Sequence, residues 1–242
     1  MWFFRKKKKL PKIDFSLLSV DIHSHLIPAI DDGAKNLDSS VSMIKKMKSL
    51  GFKKLITTPH VMSDVYRNNK QDILNGLSIL QEELIKQSID IEISAAAEYY
   101  VDYEFEQKIS SNNFLTFGDN YILIELSFVE PPRNILDIIF KLQMEKYKVV
   151  LAHPERYHYY NNDDYRELIN RGVILQINLL SLIGYYSVEV QNKTEKMIKA
   201  GLVNLVGTDC HNMSQAELYE RCQVLPSWHE LINRKELINH TL

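Results

Sequence analysis

The chain contains only two cysteines in 242 residues, Cys210 and Cys222, too few for a disulfide framework and not arranged as a paired zinc motif. That usage suits a reducing cytoplasm. Its eight glycines form no Gly-rich phosphate loop, which argues against an open dinucleotide-binding sheet. No apolar run approaches the roughly 18 residues of a membrane span. The formal net charge is −2, with 29 basic and 31 acidic side chains, and no basic stripe is visible beyond the first residues, so extended contact with a nucleic-acid backbone is not expected. A secretory apolar core is missing too, because the basic start gives way to Leu10-Pro11-Lys12-Ile13-Asp14. These absences indicate a cytoplasmic protein and leave small or locally anionic substrates open.

With 45% hydrophobic and 25% charged residues, the chain is long enough for one large core. The expected organisation is a tail over residues 1–18 and a single domain over residues 19–242. The tail carries Trp2, Phe3 and Phe4 and then a basic run from Arg5 to Lys9. A charge block of this kind reads as solubilising. Its sharper reading is weak membrane-surface contact, since five basic groups at about 1 kcal/mol each could hold an anionic leaflet.

From residue 17 onward, short β-favouring runs alternate with longer helical stretches. Strands are expected at residues 17–22, 54–58, 91–96, 121–126, 149–152, 173–177 and 202–206. Asp38 or Ser39 can cap a helix that stops at Gly51. Ile73, Leu77, Leu80 and Leu84 form one apolar stripe, Ile135, Ile138, Ile139 and Leu142 another, and Gly172 and Gly201 stand where C-terminal caps belong. Apolar strands separated by helices predict an α/β fold with a parallel sheet, closed or distorted into a barrel.

Val20-Asp21-Ile22-His23-Ser24-His25 ends in two histidines one residue apart, and in an extended strand both side chains point the same way. Both imidazoles can then reach one ion. Single strand-end histidines are common, but here the pattern repeats. The expected strands are followed by His60, Glu98, Glu125, His153, and then Asp209 and His211; only the run ending at Ile177 lacks a strong ligand type. In a parallel barrel these positions share the C-terminal rim, where active sites of such folds are built. With Asp31 and Asp32 in the first loop, five imidazoles and several carboxylates suffice for two or three bridged ions. Mixed nitrogen and oxygen donors suit Mn²⁺, Fe²⁺ or Zn²⁺ better than Ca²⁺. Cys210, between two of these positions, should face away as a buried apolar residue.

Taken in order, Asp21-Ile22-His23-Ser24-His25, Asp31-Asp32-Gly33, Thr58-Pro59-His60, Ala97-Glu98-Tyr99-Tyr100, Ile124-Glu125, His153-Pro154-Glu155-Arg156-Tyr157 and Thr208-Asp209-Cys210-His211-Asn212 resemble a known family over about residues 20–212. It is that of the PHP-fold metallophosphatases, and within them the bacterial manganese-dependent protein-tyrosine phosphatases of capsule and exopolysaccharide clusters. The resemblance implies a distorted (β/α)7 TIM-like barrel holding three manganese ions. By it, His23, His25, Glu98 and Asp209 hold the first ion. Glu98 bridges to a second, completed by Glu125 and His153, and Asp32, His60 and His211 hold the third. Asp31 then becomes a hydrogen-bond acceptor in its loop. The substrate implied is phosphotyrosine on a protein, the tail of a membrane tyrosine autokinase that controls polysaccharide export.

The chemistry of the residues agrees with that assignment. A bridged metal cluster lowers the pKa of bound water from 15.7 towards about 7, and the ions neutralise phosphoryl charge, so no covalent protein nucleophile is needed. A phenolate leaving group of pKa about 10 makes modest demands on a general acid. Arg156, three residues after His153, is the natural clamp because its planar fork binds two phosphate oxygens at once. Some relatives carry further arginines after the His60 and His211 equivalents, where this chain has Val61-Met62 and Met213-Ser214-Gln215. Arg67 and Arg133, each in a loop after an expected strand, are the substitutes proposed on sequence. A cysteine-based phosphatase is excluded, since six positions beyond Cys210 and Cys222 stand Ala216 and Trp228 rather than arginine. The alternatives are a PHP phosphatase of a small metabolite such as histidinol phosphate, a PHP nuclease that the charge disfavours, and a binding module that the complete ligand set disfavours.

Overall fold

Val-, Ile- and Leu-rich runs form short parallel strands in the computed structural model, which describes residues 10–111, 113–234 and 236–242. The strands among the described residues are β1 (Val20–Asp21), β2 (Lys54–Thr57), β3 (His60–Val61), β4 (Glu92–Ala95), β5 (Glu98–Tyr100), β6 (Tyr121–Glu125), β7 (Lys148–Ala152), β8 (Ile174–Asn178) and β9 (Leu205–Gly207). Between and after them run α1 (Leu37–Ser49), α2 (Lys70–Lys86), α3 (Tyr103–Lys108), α4 (Ile135–Met144), α5 (Asn162–Asn170), α6 (Val188–Lys199), α7 (Met213–Leu218) and α8 (Pro226–Ile232).

These strands pair with one another in parallel, in the orders β1-β2-β4 and β3-β5-β6-β7-β8-β9. The two sheets are linked by the chain itself. Thr58 and Pro59 separate β2 from β3, and Ala96 and Ala97 separate β4 from β5, so two strand paths cross from one sheet into the other. Proline cannot donate to a ladder, which is one reason the β2 path breaks where it does. The curled sheet is then tied at its edges. Ser24 bridges Cys210, the His25 N–H donates to the Cys210 carbonyl (3.0 Å), and the Asp209 N–H donates to the His23 carbonyl (2.7 Å). At the other end Asn239 Nδ2 donates to the Val20 and Val206 carbonyls (3.0 and 2.8 Å), so one buried amide joins β1 to β9.

Side-chain alternation sorts the strands into two faces. Along β7, Val149 and Leu151 belong to the layer packed by the helices, whereas Val150 and Ala152 join Val20, Ile22, Ile56, Ala96, Leu123 and Leu205 in the interior. On β6 the interior residue Leu123 is followed two positions later by Glu125, which the same period carries to the mouth of the sheet. The helical stripes bury as the periodicity predicts, with Ile73, Leu77, Leu80 and Leu84 all inside. The α1 cap differs. Asn36, not Asp38 or Ser39, adopts the extended backbone, accepts from the Ser39 N–H and receives the Ser39 hydroxyl's support in return. Gly51, Gly172 and Gly201 follow their helices with φ of +110°, +85° and +72°, the left-handed turn that glycine adopts without a Cβ penalty.

The expected tail boundary at residue 18 needs correction. Phe15 and Leu18 are fully buried, and the Phe15 ring stacks on Phe52 at 4.9 Å and meets Trp228 edge-on at 5.0 Å. Burying two such side chains contributes about 1.5–3 kcal/mol each, which outweighs the polar character of Lys12 and Asp14 around them. The Leu10 and Ile13 N–H groups also donate to Val224 and Gln223 carbonyls. The basic and aromatic run Trp2 to Lys9, with its expected membrane-surface contact, lies outside the described residues. No helix among the described residues is long and apolar enough to cross a membrane.

Candidate metal centre

The ends of the parallel strands bring the expected ligands into one buried cluster. His23 and His25 follow β1, His60 opens β3, Glu98 opens β5, Glu125 closes β6, His153 follows β7, and Asp209 and His211 follow β9. His23, His25, Glu98, His153 and Asp209 are at most 3% exposed. Two of them depend on unusual backbone. His153 and Asp209 adopt φ of +34° and +54°, a left-handed conformation that His and Asp tolerate better than most residues and that turns each side chain inward just past its strand. Close approach is also required. A Cβ at Gly207 would lie 2.6 Å from the His23 Cβ, and one at Gly33 would collide with the carbonyl oxygen and Cβ of His25.

Three overlapping groups of donor atoms result, each with atoms within 4.8 Å of one another. They are His23, His25, Glu98 and Asp209; then His60, Glu98 and Glu125; and then His25, Asp32, His60 and His211. The first group is the one expected for the first ion. The second contains His60 where the resemblance implied His153, although His153 Nε2 stands 3.0 Å from Glu98 Oε1 and 3.5 Å from Glu125 Oε1. The third adds His25 to the expected trio. Glu98 is the hub, its Oε2 lying 3.1 Å from His23 Nε2, 3.5 Å from His25 Nε2 and 3.2 Å from His60 Nδ1.

The residues behind the donors set their orientation. His23 Nδ1 pairs with Gln176 Oε1 at 2.8 Å and His25 Nδ1 with Asp31 Oδ2 at 2.7 Å. Each acceptor fixes the proton on Nδ1 and leaves the Nε2 lone pair for a cation. Asp31 also accepts the His60 and Gly33 N–H groups at 3.0 and 2.9 Å, so it serves as the loop acceptor that the sequence suggested. Asp31→Ala is expected to weaken binding of a divalent cation about 10- to 100-fold without unfolding the chain, as read by calorimetric cation titration alongside circular dichroism. An unchanged titration would deny Asp31 that role.

The donor set fits divalent cations. Glu98 Oε2, His60 Nδ1 and His153 Nδ1 are buried side-chain atoms without a hydrogen-bond partner. Burial disfavours charge on His23, yet Glu98 and Asp209 beside it raise its pKa to about 9. Burial and then the charges of Glu98 and Asp209 push the Glu125 carboxyl well above the usual range. Burial and the Arg156 charge lower His153 to about 4, keeping that imidazole neutral as a ligand must be. Such a concentration of buried acids calls for positive charge that the protein itself supplies only in part.

Above the donors opens a cleft of about 470 Å³, lined among others by Asp32, His60, Glu125, His153, Arg156 and His211. Arg156 is the cation of this wall. Its guanidinium lies between the rings of Phe128 (4.5 Å) and Tyr186 (4.4 Å), and its Nη1 is 3.3 Å from Asp209 Oδ2. The sequence reading missed Phe128 and Tyr186, and it passed over β8. That strand supplies Gln176 and also Asn178, whose Nδ2 donates to Asp209 Oδ2 at 2.7 Å. Two buried amides at alternate positions of an apolar strand were the available signal. Arg67 and Arg133 do not line the cleft. Arg67 lines a neighbouring groove and Arg133 a separate depression beside Tyr160, because the loops carrying them turn away from the strand ends. Tyr99, Tyr157 and Tyr159 are packing residues whose hydroxyls bond to backbone groups. Cys210 is buried, as expected, and burial raises its thiol to about 12.

The sequence model of the family described as "Capsular polysaccharide synthesis, CpsB/CapC" matches residues 19–224. Tyrosine-protein phosphatase YwqE of Bacillus subtilis (strain 168) is 32% identical over 202 residues, covering 80% of this chain and 78% of that protein. Among solved structures, a chain from the work on YwqE of Bacillus subtilis and CpsB of Streptococcus pneumoniae, described as metal-dependent tyrosine phosphatases, superposes with a TM-score of 0.80 at 28% identity, covering 91% of this chain and 89% of that one. Histidinol phosphate phosphatase of Lactococcus lactis, at 16% identity and a TM-score of 0.50 over 89% of this chain and 93% of that one, shares the fold.

Proposed function

Because the chain belongs to the CpsB/CapC family of capsular polysaccharide synthesis, we propose that it is a metal-dependent phosphatase of protein phosphotyrosine, with a capsule or exopolysaccharide tyrosine autokinase as its substrate. The observation that carries this reading is the sharing of Glu98, His25 and His60 among three donor groups beneath a cleft walled by Arg156. In this reading the seven strand paths, with β2 continued by β3 and β4 by β5, make a distorted (β/α)7 barrel around three ions, Mn²⁺ by resemblance. The ligands are His23, His25, Asp32, His60, Glu98, Glu125, His153, Asp209 and His211. The setting is cytoplasmic.

Bound divalent cations supply a water of lowered pKa and positive charge against the phosphoryl oxygens. The protein's own part is positional. Gln176 and Asp31 hold two imidazoles with Nε2 directed into the cluster. Asp209 keeps Oδ1 on the histidine side, 3.4 Å from both His23 and His25 Nε2, while Oδ2 is occupied by Asn178 and Arg156. Arg156, fixed between two rings, presents its remaining N–H groups to the phosphate. No side chain of the cleft is needed as a covalent nucleophile, and a tyrosyl leaving group of pKa about 10 departs with little acid assistance.

The substrate class is tested by phosphate release with Mn²⁺ from a phosphotyrosine peptide, a phosphoserine peptide and histidinol phosphate. The phosphotyrosine peptide should have a kcat/KM at least about 100-fold above the other two, because a phenolate leaves far more readily than an alkoxide. Preference for histidinol phosphate would establish the small-metabolite alternative instead.

A further inference from the structure

Beside the cleft lies a groove of about 290 Å³, and the two share a wall. That wall is the turn after β3, where Met62 and Tyr66 exchange backbone hydrogen bonds of 2.9 and 3.1 Å. Met62 lines both depressions, Tyr66 lines the cleft with its ring parallel to His60, and Arg67 lines the groove. Tyr99, Phe105 and Phe114, packed at 4.8–5.7 Å between centroids, form an apolar floor.

The charges of the groove are committed, with one exception. Asp102 accepts the Ser63 N–H at 3.0 Å and the Phe105 N–H at 2.8 Å, so both its oxygens serve the backbone and anchor the turn. Glu104 pairs with Lys108 at 3.2 Å. Arg67 is exposed, uses its Nε on the Ser63 carbonyl, and makes no ion pair among the described residues, which leaves its outer N–H groups available.

We propose that this groove receives the residues flanking the phosphotyrosine, and that Arg67 there pairs with an acidic side chain of the substrate. The inference rests on the phosphatase reading of the cleft. A chain that leaves the cleft over Met62 in extended form advances about 3.3 Å per residue, so a side chain within two or three positions of the tyrosine reaches the groove. The guanidinium fork matches a carboxylate, and an exposed pair of this kind sets preference more than affinity. Arg67 is thereby a specificity residue for the peptide and not a second phosphate clamp.

The test is kcat/KM, with Mn²⁺, on phosphotyrosine peptides identical except for Glu, Ala or Lys at the positions within three residues of the tyrosine, with p-nitrophenyl phosphate alongside. The wild-type protein should favour the Glu peptide over the Lys peptide by about fivefold, mainly through KM. Arg67→Ala should bring that ratio near one, and Arg67→Glu should invert it. A wild-type ratio of one, or a ratio that Arg67→Glu leaves unchanged, would overturn the proposal. Wild-type protein that hydrolyses neither the peptides nor p-nitrophenyl phosphate would overturn the phosphatase reading and the proposal with it.

Discussion

Glu98→Gln is expected to lower kcat on phosphotyrosine peptide at least about 1,000-fold, on the order of 4 kcal/mol in the barrier. Four imidazoles converge on its carboxylate. Its Oε2 is within 3.5 Å of a ring nitrogen of His23, His25 and His60, and its Oε1 is 3.0 Å from His153 Nε2. Glutamine keeps the shape but removes the charge and turns one oxygen into a donor, which meets nitrogens that should themselves be facing a cation. The loss should therefore appear in bound metal as well as in rate. Metal analysis of the purified variant should give clearly fewer ions per chain than the wild-type protein. A variant that keeps full metal content and more than a tenth of the activity would remove Glu98 from the centre of the account.

The second large effect concerns Arg156. Arg156→Lys is expected to reduce kcat/KM on phosphotyrosine about 100- to 1,000-fold, the range associated with losing one donor aimed at a developing negative charge. Its guanidinium carbon lies over the rings of both Phe128 and Tyr186, and a lysine ammonium has neither a planar group to stack on them nor two parallel N–H groups to offer to phosphate oxygens. Metal content should stay at the wild-type value, since Arg156 touches Asp209 through Oδ2 and not through the oxygen that faces the histidines. That pairing of lost activity with retained metal separates Arg156 from Glu98. Full activity in the lysine variant would mean that charge alone is required there.

The candidate cation ligands are those the sequence displayed most openly. An H-x-H at the end of a β-favouring run, and a His, Asp or Glu after nearly every later run, can be recognised because strand ends in a parallel sheet share one mouth, whatever the loops do. Asp31 was legible as an acceptor only through the resemblance, whose ligand set takes Asp32 and leaves its neighbour to the loop. The supporting residues were harder to see. Gln176 and Asn178 sit on a strand with no ligand-type residue, and their role depends on which side chains lie across from them in the curled sheet. Phe128 and Tyr186 face one arginine from two separate loops, a relation that no spacing in the chain encodes. Arg67 and Arg133 line depressions other than the cleft. A loop after a strand end is near the mouth, but the direction in which it turns is set by packing, here by Asp102 holding Ser63. Residues 10–18 misled for a similar reason, as a basic and proline-containing approach concealed two apolar side chains that bury against Phe52 and Trp228 or the surrounding core.

The most direct measurement is phosphate release from a phosphotyrosine peptide by protein stripped with a chelator and dialysed, before and after Mn²⁺ is returned. The account predicts that stripping abolishes hydrolysis and that Mn²⁺ restores it, with more than one ion bound per chain at full recovery. Hydrolysis that continues undiminished in the stripped, metal-free protein would contradict it.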